Sequence, residues 1–574
     1  MRELVAENKI EELKKILLKR ISFGTAGLRG KMSVGYACMN DLVIIQTAQG
    51  LLNFLAEDNI DLLTTNGIVV GYDGRHNSKR MNLKCSLVLR VILEMTGSLD
   101  YNSEDDNTVI DIVDSFIRWA ELTTAIFIHA GYPVKLFSEV IPTPFIPFSV
   151  TKYKCASGVM VYGSNGVQIV SPTDKNIQHS ILRNLEPLET SWDTSILGTS
   201  DLLIDPLSEV LEHYLQIITD TIIPEHKLLN EKVGMLFTYT AMHGVGYSYI
   251  EKVCDVIGIN IVPVLEQRDP HPDFPTVKFP NPEEGKSSLD LSFKTADENN
   301  SVVIIANDPD ADRMAAAEKN PKTGEWKVFT GNELGALFGW WMLHCYKIQH
   351  PNELLSKVCM ISSTVSSMIL RSISKAERFN FYDTLTGFKW IGNLALDLQK
   401  EGKDVIFCYE EAIGFMCSTN VLDKDGISAA FQFATMTSYI YSHDQTIVEK
   451  LEEIYSIYGQ HVSNNSYYIC HDPVLIKRIF TRIRNFDGEN TPDNRAVLPV
   501  SSNSEMITFH FSNGLVCTLR TSGTEPKIKY YTEFCASPEI KDKDVIIDTL
   551  HEMVQGICEE LLQPTENNLL AKSD

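Results

Sequence analysis

At 574 residues the chain is too long for one hydrophobic core, so about three or four domains are expected. Hydrophobic residues make up 44% of it, yet no apolar run reaches the roughly 18 residues of a helical membrane span. Against 51 Lys and Arg stand 75 Asp and Glu, and a net charge of −24 argues against nucleic acid or anionic membrane as partners.

The first segment, MRELVAENKIEELKKILLKR (1–20), lacks the apolar core and cleavage site of a signal peptide and predicts one amphipathic helix. The twelve cysteines form no CxxC pair, which points to reduced, mostly buried thiols in a cytoplasmic protein and away from a disulfide framework or zinc site. A monomer is expected.

FGTAGLRG (23–30) is a glycine-rich loop ending just after Arg29; alone, such loops serve most often as turns. DLVIIQTAQGLLNFL (41–55) has helical period. GIVVGYDGRHNSKR (67–80) begins a repeated pattern, a β-branched apolar strand followed at once by a polar turn. It recurs in SGVMVYGSNG (157–166), EKVGMLFTYTAMHGVG (231–246), SVVIIANDPDADR (301–313), SKVCMISSTVSS (356–367) and KDVIFCYEEAIGF (403–415). Helical segments such as WAELTTAIFIHAG (119–131) and GNELGALFGWWMLHCY (331–346) fall between them, predicting parallel α/β sheets with ligand loops at the strands' carboxyl ends. Residues 81–118, with the acidic tract SLDYNSEDDNTV, interrupt one strand-to-helix connection and read as an exposed, partly disordered insertion. Boundaries are placed in the aperiodic stretch 184–205 and at the PKTGEW turn (321–326), between a strand pair and a helix. The expected domains are therefore 1–205, 206–325, 326–454 and 455–574, three α/β and the last α+β. FHFSNGLVCTLR (509–520) in that last unit reads as a hairpin through Ser512-Asn513-Gly514.

Asp308, Asp310 and Asp312 alternate along a tight turn, so their carboxylates can converge on a hard cation such as Mg²⁺. An acidic surface turn is the alternative; an EF-hand is excluded, because Arg313 and Lys319 stand where that loop needs Gly and Glu. RTSGTEPK (520–527) packs two cations, three hydroxyls and exposed backbone N–H groups into one glycine-containing turn, the components of a phosphate cradle. Glu410 and Glu411 at a strand end suit sugar hydroxyls, and TLTGFKW (384–390) adds hydroxyls, an aromatic ring and Lys389; each alone is more often a solvated turn. His243 could be an acid or base, or equally a structural histidine. Ser164, on a glycine-flanked turn after a strand, raises the question of a nucleophile.

In order along the chain, FGTAGLRG, GYDGRHNSKR, DPDADR, TLTGFKW, EEAIGF and RTSGTEPK resemble the motifs of the α-D-phosphohexomutase superfamily, with FPTVKFPNPEEGK (274–286) and VLDKDGISAA (421–430) fitting too. The resemblance covers nearly the whole chain apart from 81–118 and looks nearest to the branch containing phosphoglucomutase-2, phosphopentomutase and glucose-1,6-bisphosphate synthase. It implies a four-domain, heart-shaped fold. It also implies interconversion of hexose 1- and 6-phosphates, or pentose 1- and 5-phosphates, by Mg²⁺-dependent phosphoryl transfer through a bisphosphate, with glucose 1,6-bisphosphate as activator. By motif, Asp308, Asp310 and Asp312 would hold Mg²⁺ and Arg313 would lie beside the reacting group. Glu410 and Glu411 would read sugar hydroxyls, with Thr386, Gly387 and Lys389 in the loop that distinguishes sugar orientations. Arg520, Ser522, Gly523, Thr524 and Lys527 would hold the distal phosphate, and Arg29 and Lys424 would serve proton transfer or phosphate contact.

One departure concerns the phosphoserine that the family uses to relay phosphate. Its pattern runs from a Gly-Ile/Val-Met-Val/Ile strand into Thr-Ala-Ser-His-Asn-Pro and only later into a hairpin resembling Tyr-Trp-Asp-Asn-Gly-Ala-Gln-Ile. Here Gly158–Val161 joins directly to Tyr162-Gly-Ser-Asn-Gly-Val-Gln-Ile169, so the nucleophile's loop is missing and Ser164 matches a turn residue of the later hairpin. Three functions stay open: mutase, bisphosphate synthase, or an inactive sugar-phosphate binder.

Overall fold

The computed structural model describes residues 2–74, 118–159, 162–282, 286–485, 505–522, 526–540 and 542–571. The expected insertion, apart from Arg118, lies outside the described residues, as do Gly523 and Thr524. The chain divides into two compact units, Met1–Val328 with Ser418–Thr435, and Phe329–Cys417 with Met436–Asp574.

The first unit holds two mixed sheets. In one, Ile68–Val70 lies between the parallel strands Val134–Leu136 and Ser157–Val159; Leu203–Ile204 extends one edge in parallel, and Tyr162–Gly163 folds back antiparallel on the other. Its core is a contiguous cluster that includes Ile45, Leu52, Leu63, Ile68, Phe127 and Val134, so the helices Asp41–Asp58 and Arg118–His129 bury apolar faces on the sheet. Asn40 starts the first of these helices, its side chain accepting from Val43 N and donating to the Ser33, Gly35 and Cys38 carbonyls. The aperiodic 184–205 stretch is ordered as two short 3₁₀ turns, Glu189–Trp192 and Ser195–Gly198, followed by the Leu203–Ile204 edge strand.

In the second sheet, Leu236–Thr240, Asn260–Pro263 and Val303–Asn307 are parallel, while Met314–Lys319 and Trp326–Val328 are antiparallel. Every residue of Val303–Asn307 is buried, which explains the apolar run Val303–Ala306; each such Val or Ile side chain stabilises the fold by about 1.5–3 kcal/mol. The PKTGEW turn joins the two antiparallel strands, with Lys319 opposite Trp326, instead of leading from the strand pair to a helix.

The second unit contains the sheet Asn380–Thr384, Val358–Ser363, Asp404–Glu410 and Gly414–Met416, parallel except for its last strand. The Gly331–Gln349 and Ile447–Tyr458 helices each begin with a reciprocal capping box, Thr330 with Glu333 and Thr446 with Glu449. A separate six-stranded antiparallel sheet follows, made by His461–Ser463, Ser466–Ile469, Met506–His510, Leu515–Thr521, Lys527–Cys535 and Leu570–Ala571. The expected hairpin is present, turning at Gly514 with φ 97°.

All six expected strand-to-turn segments contain a strand. The N-terminal segment differs from expectation: two helices, Arg2–Ala6 and Ile10–Leu17, replace one. Asn8 adopts φ 53°, and the Asn8 and Lys9 amides donate to the Val5 and Leu4 carbonyls, so the first helix ends on a left-handed residue that asparagine tolerates. The eleven described cysteines are all free, and nine are buried. No described helix is long and apolar enough to cross a membrane.

Candidate functional site

The buried Val303–Asn307 strand delivers Asp308 to Asp312 at its carboxyl end, where one carboxylate oxygen from each of Asp308, Asp310 and Asp312 lies within 4.8 Å of the others. The turn is closed by Ala311 N donating to the Asp308 carbonyl (2.9 Å) and Arg313 N donating to Asp308 Oδ1 (3.0 Å). Ala311 sits at φ 53°, a strained conformation for a residue with a Cβ, of the kind that persists where surrounding structure enforces it. The Asp308 and Asp312 side chains are only 13% and 14% exposed. Burial first, then the charges of Asp310 and Asp312, push the Asp308 carboxyl well above its ordinary range. Asp312 is raised for the same leading reason, with Lys424 opposing the shift. Arg313 Nε stands 3.9 Å from Asp308 and 3.7 Å from Asp312. Carboxylates crowded in this way are short of positive charge, and an all-oxygen donor set fits a hard divalent cation.

Lys424 comes to this turn from the segment before the helix that starts at Gly426, its side chain 9% exposed and its Nζ 3.2 Å from Asp312 and 3.5 Å from Asp423. Asp423 Oδ2 accepts from Tyr162 Oη and Gln168 Nε2, both at 2.7 Å. A Cβ on Gly426 would stand 2.5 Å from the Arg313 carbonyl and 2.6 Å from Asn307 Nδ2, so only glycine lets this segment close on the aspartate turn. Asp425 accepts from Tyr214 Oη (2.7 Å) and the Ile427 and Ser428 amides, and burial raises its pKa to about 6.

The shortened segment is a hairpin. Gly158 pairs with Tyr162, Gly163 N donates to the Val167 carbonyl (3.0 Å), and Tyr162 is buried. Ser164 lies on its exposed turn and, among the described residues, its side chain has no hydrogen-bond partner, so none of them is placed as a base to activate it. Arg29 is exposed beyond the small Phe23–Gly24/Gly27–Leu28 ladder and forms no ion pair with any described residue. His243 is buried at φ 60°, its ring bonded to Thr276 Oγ1 at 2.8 Å; burial lowers its pKa, consistent with a structural histidine.

In the second unit, Glu410 ends the Asp404–Glu410 strand and pairs with Gly414 across a turn in which Ile413 is held at φ 52°. Glu411 Oε2 accepts from Ser363 Oγ (3.1 Å) and Ser366 Oγ (3.4 Å), and its amide donates to Ser366 Oγ (2.9 Å). A Cβ on Gly331 would stand 2.0 Å from the Glu411 carbonyl, so the Gly331–Gln349 helix abuts this turn through its glycine. Thr386 Oγ1 accepts from Arg520 Nη1 at 3.0 Å, and Arg520 Nη2 donates to Tyr531 Oη at 3.2 Å. Thr386 of the 384–390 segment and Arg520 of the 520–527 segment thus meet directly, beside Gly387 at φ 103°. Ser522 N donates to the Lys527 carbonyl (2.9 Å), closing the 520–527 turn. Lys527 Nζ lies 4.2 Å from the Tyr467 ring centre, and Lys389 Nζ lies 5.6 Å from that of Trp390.

Sequence reasoning missed Tyr162, Gln168, Asp423, Ser363, Ser366 and Tyr531. Asp423 adjoins Lys424 inside a motif already singled out, and the two serines stand in SKVCMISSTVSS; no signal marked Tyr531.

Parallel α/β sheets carrying clustered carboxylates and cationic, hydroxyl-rich turns at their strand ends define the class, a multidomain α/β protein whose candidate ligand loops are charged. Family models for phosphoglucomutase/phosphomannomutase α/β/α domains I, II and III match residues 20–90 with 118–185, 212–324 and 330–458, and the chain belongs to that family of sugar-phosphate mutases. The domain I match resumes at 118 after stopping at 90, so the unmatched stretch begins later than the expected 81. Human phosphopentomutase is 42% identical over 616 positions, covering 100% of this chain and 94% of its own length. Since those 616 positions exceed the 574 residues here, that relative carries segments with no counterpart in this chain. Human glucose 1,6-bisphosphate synthase is also 42% identical, covering 98% of this chain and 91% of its own length. The crystal structure of the Paramecium phosphoglucomutase pp63/parafusin shares the fold at a TM-score of 0.64 with 16% identity, covering 94% of this chain and 95% of its own.

Proposed function

We propose that this chain binds hexose and pentose phosphates with magnesium and carries the phosphosugar mutase chemistry of its family at a strongly reduced rate. The convergence of Asp308, Asp310 and Asp312 within 4.8 Å carries the reading. These three carboxylates would hold the ion, and Mg²⁺ supplies charge neutralisation to a transferring phosphoryl group. Arg313 and Lys424, which lie within 4 Å of triad carboxylates, would contact the same phosphoryl oxygens. Arg520, Ser522 and Lys527, together with Gly523 and Thr524, would grip the distal phosphate, and Thr386 would couple that grip to the sugar loop. Glu410 and Glu411 would accept from sugar hydroxyls; the Ser363 and Ser366 bonds hold Glu411 in orientation. Arg29 would contact phosphate or serve proton transfer, although among the described residues it forms no ion pair. Low turnover follows from the hairpin: Ser164 has no base, and losing a covalent nucleophile costs several orders of magnitude in rate. The acidic surface and free thiols support a cytoplasmic setting.

The test supplies Mg²⁺ and a trace of glucose 1,6-bisphosphate, then follows glucose 1-phosphate and, separately, ribose 1-phosphate. Glucose 1,6-bisphosphate is expected to raise the thermal midpoint while product forms several orders of magnitude more slowly than with a serine-bearing mutase. A full mutase rate overturns the low-turnover reading, and no stabilisation by either sugar phosphate or the bisphosphate overturns the binding reading.

A further inference from the structure

A second cluster of metal-ligating side chains lies on the C-terminal antiparallel sheet, independent of the phosphosugar reading. In the ladder between His461–Ser463 and Lys527–Cys535, His461 stands directly opposite Cys535, and Ser463 opposite Glu533. Directly paired residues share a face, and so do residues two apart on one strand, so His461, Cys535 and Glu533 project from one side of the sheet. Their ligand atoms lie within 4.8 Å of one another.

The surroundings orient these groups. Gly459 O is 2.9 Å from His461 Nδ1, which selects the tautomer that protonates Nδ1 and leaves Nε2 with the lone pair a metal would take. Ser372 Oγ meets that lone pair at 3.0 Å. Glu533 Oε2 accepts from Met368 N at 2.7 Å and lies 3.5 Å from Cys535 Sγ, while Ser463 Oγ is 3.5 Å from Oε1. Ser372 lies in the Ile369–Glu377 helix and Met368 is its N-cap, so the cluster lies where this helix meets the sheet. Glu533 is 7% exposed, yet no Lys, Arg or His among the described residues forms an ion pair with it. The donors to it, Met368 N, Ser463 Oγ and the Cys535 thiol, are all neutral, and a buried carboxylate so placed is stabilised when a cation joins it, with Arg371 and Lys375 acting on the cluster only as nearby charges. Cys535 remains partly exposed, which leaves the cluster an approach from solvent.

We infer that His461, Glu533 and Cys535 form a binding site for a borderline divalent ion, Zn²⁺, which staples the C-terminal sheet to the Ile369–Glu377 helix. One nitrogen, one thiolate sulfur and one carboxylate oxygen are the donors zinc takes, and a modest contraction of the cluster brings them to tetrahedral spacing, with water or Ser372 Oγ as the fourth ligand. Loading replaces the Cys535 thiol proton, so each ion bound releases one proton. Magnesium, which prefers an all-oxygen octahedron, is not expected here.

The probe is Co²⁺ added to the full chain stripped with EDTA, because a cobalt–thiolate absorption reports only on a site containing cysteine and ignores the aspartate triad. One equivalent should develop the thiolate band, and Zn²⁺ should displace it stoichiometrically. Cys535→Ser should abolish the band, and His461→Gln should weaken Co²⁺ binding at least tenfold, while Mg²⁺ binding at the triad is unchanged in both. Asp310→Asn should leave the band intact, a check that needs no change at the cluster. Absence of a thiolate band at one equivalent, or a band that persists in Cys535→Ser, overturns the proposal.

Discussion

Replacing Lys424 by methionine keeps most of its volume and removes one charge from the aspartate turn. Its Nζ lies 3.2 Å from Asp312 and 3.5 Å from Asp423, with 9% of the side chain exposed. At an effective dielectric constant near 20, a unit pair at 3.2 Å is worth about 5 kcal/mol before desolvation is subtracted. Breaking one side of a buried pair costs about 3–5 kcal/mol, because the surviving charge stays buried without its partner. We expect about 3 kcal/mol at the low end, since Asp312 can relieve part of the loss by taking up a proton. Bound Mg²⁺ neutralises the same carboxylates and removes most of that penalty. The variant should therefore be less stable than the wild type in EDTA and bind Mg²⁺ roughly a hundredfold more tightly, the equivalent of about 3 kcal/mol. Calorimetric Mg²⁺ titration and melting curves in EDTA and in Mg²⁺ read both effects. Unchanged stability in EDTA together with Mg²⁺ affinity no tighter than wild type would refute the electrostatic reasoning.

Tyr162→Phe removes one of the two 2.7 Å bonds to Asp423 Oδ2, leaving that from Gln168; with a charged acceptor the loss should be about 1.5–3 kcal/mol, seen as a lower urea midpoint, and an unchanged midpoint argues against the Tyr162–Asp423 bond. Asp425 titrates near 6 in the folded chain against an ordinary 3.8, so its contribution is fully present below about pH 4 and is lost as pH rises through 6, about 3 kcal/mol in all. Asp425→Asn should hold that contribution across the range, so parallel stability profiles for variant and wild type between pH 4 and 7 would contradict it. Arg520→Lys keeps the charge but loses the fork joining Thr386 and Tyr531, and should weaken glucose 1,6-bisphosphate binding about tenfold; equal affinity would show that the fork is not used.

Several features are decided by local chemistry and were legible in order along the chain. Alternation of β-branched runs with helical periods predicted the parallel strands, because a strand buried on both faces reads as a near-continuous apolar run, as Val303–Ala306 does. The aspartate spacing predicted the convergent turn for an equally local reason. The glycine-flanked turn at 162–166 pointed to a hairpin, which the Gly158–Tyr162 pairing shows. The break at Asn8 escaped notice because helical periodicity continues across it, while a single left-handed residue ends the first helix.

What only the tertiary structure decided involves partners far apart in sequence. Tyr162 reaches Asp423, which holds Lys424 against Asp312, and no local pattern encodes such a chain of contacts. Cysteine spacing pointed away from zinc, since one cysteine with a distant histidine has no recognisable period. Only the strand register sets His461 opposite Cys535 and leaves Glu533 on the same face. Secondary structure and turn chemistry follow from neighbours within a few residues, whereas a buried charge takes its partner from whichever strand or segment the fold places beside it.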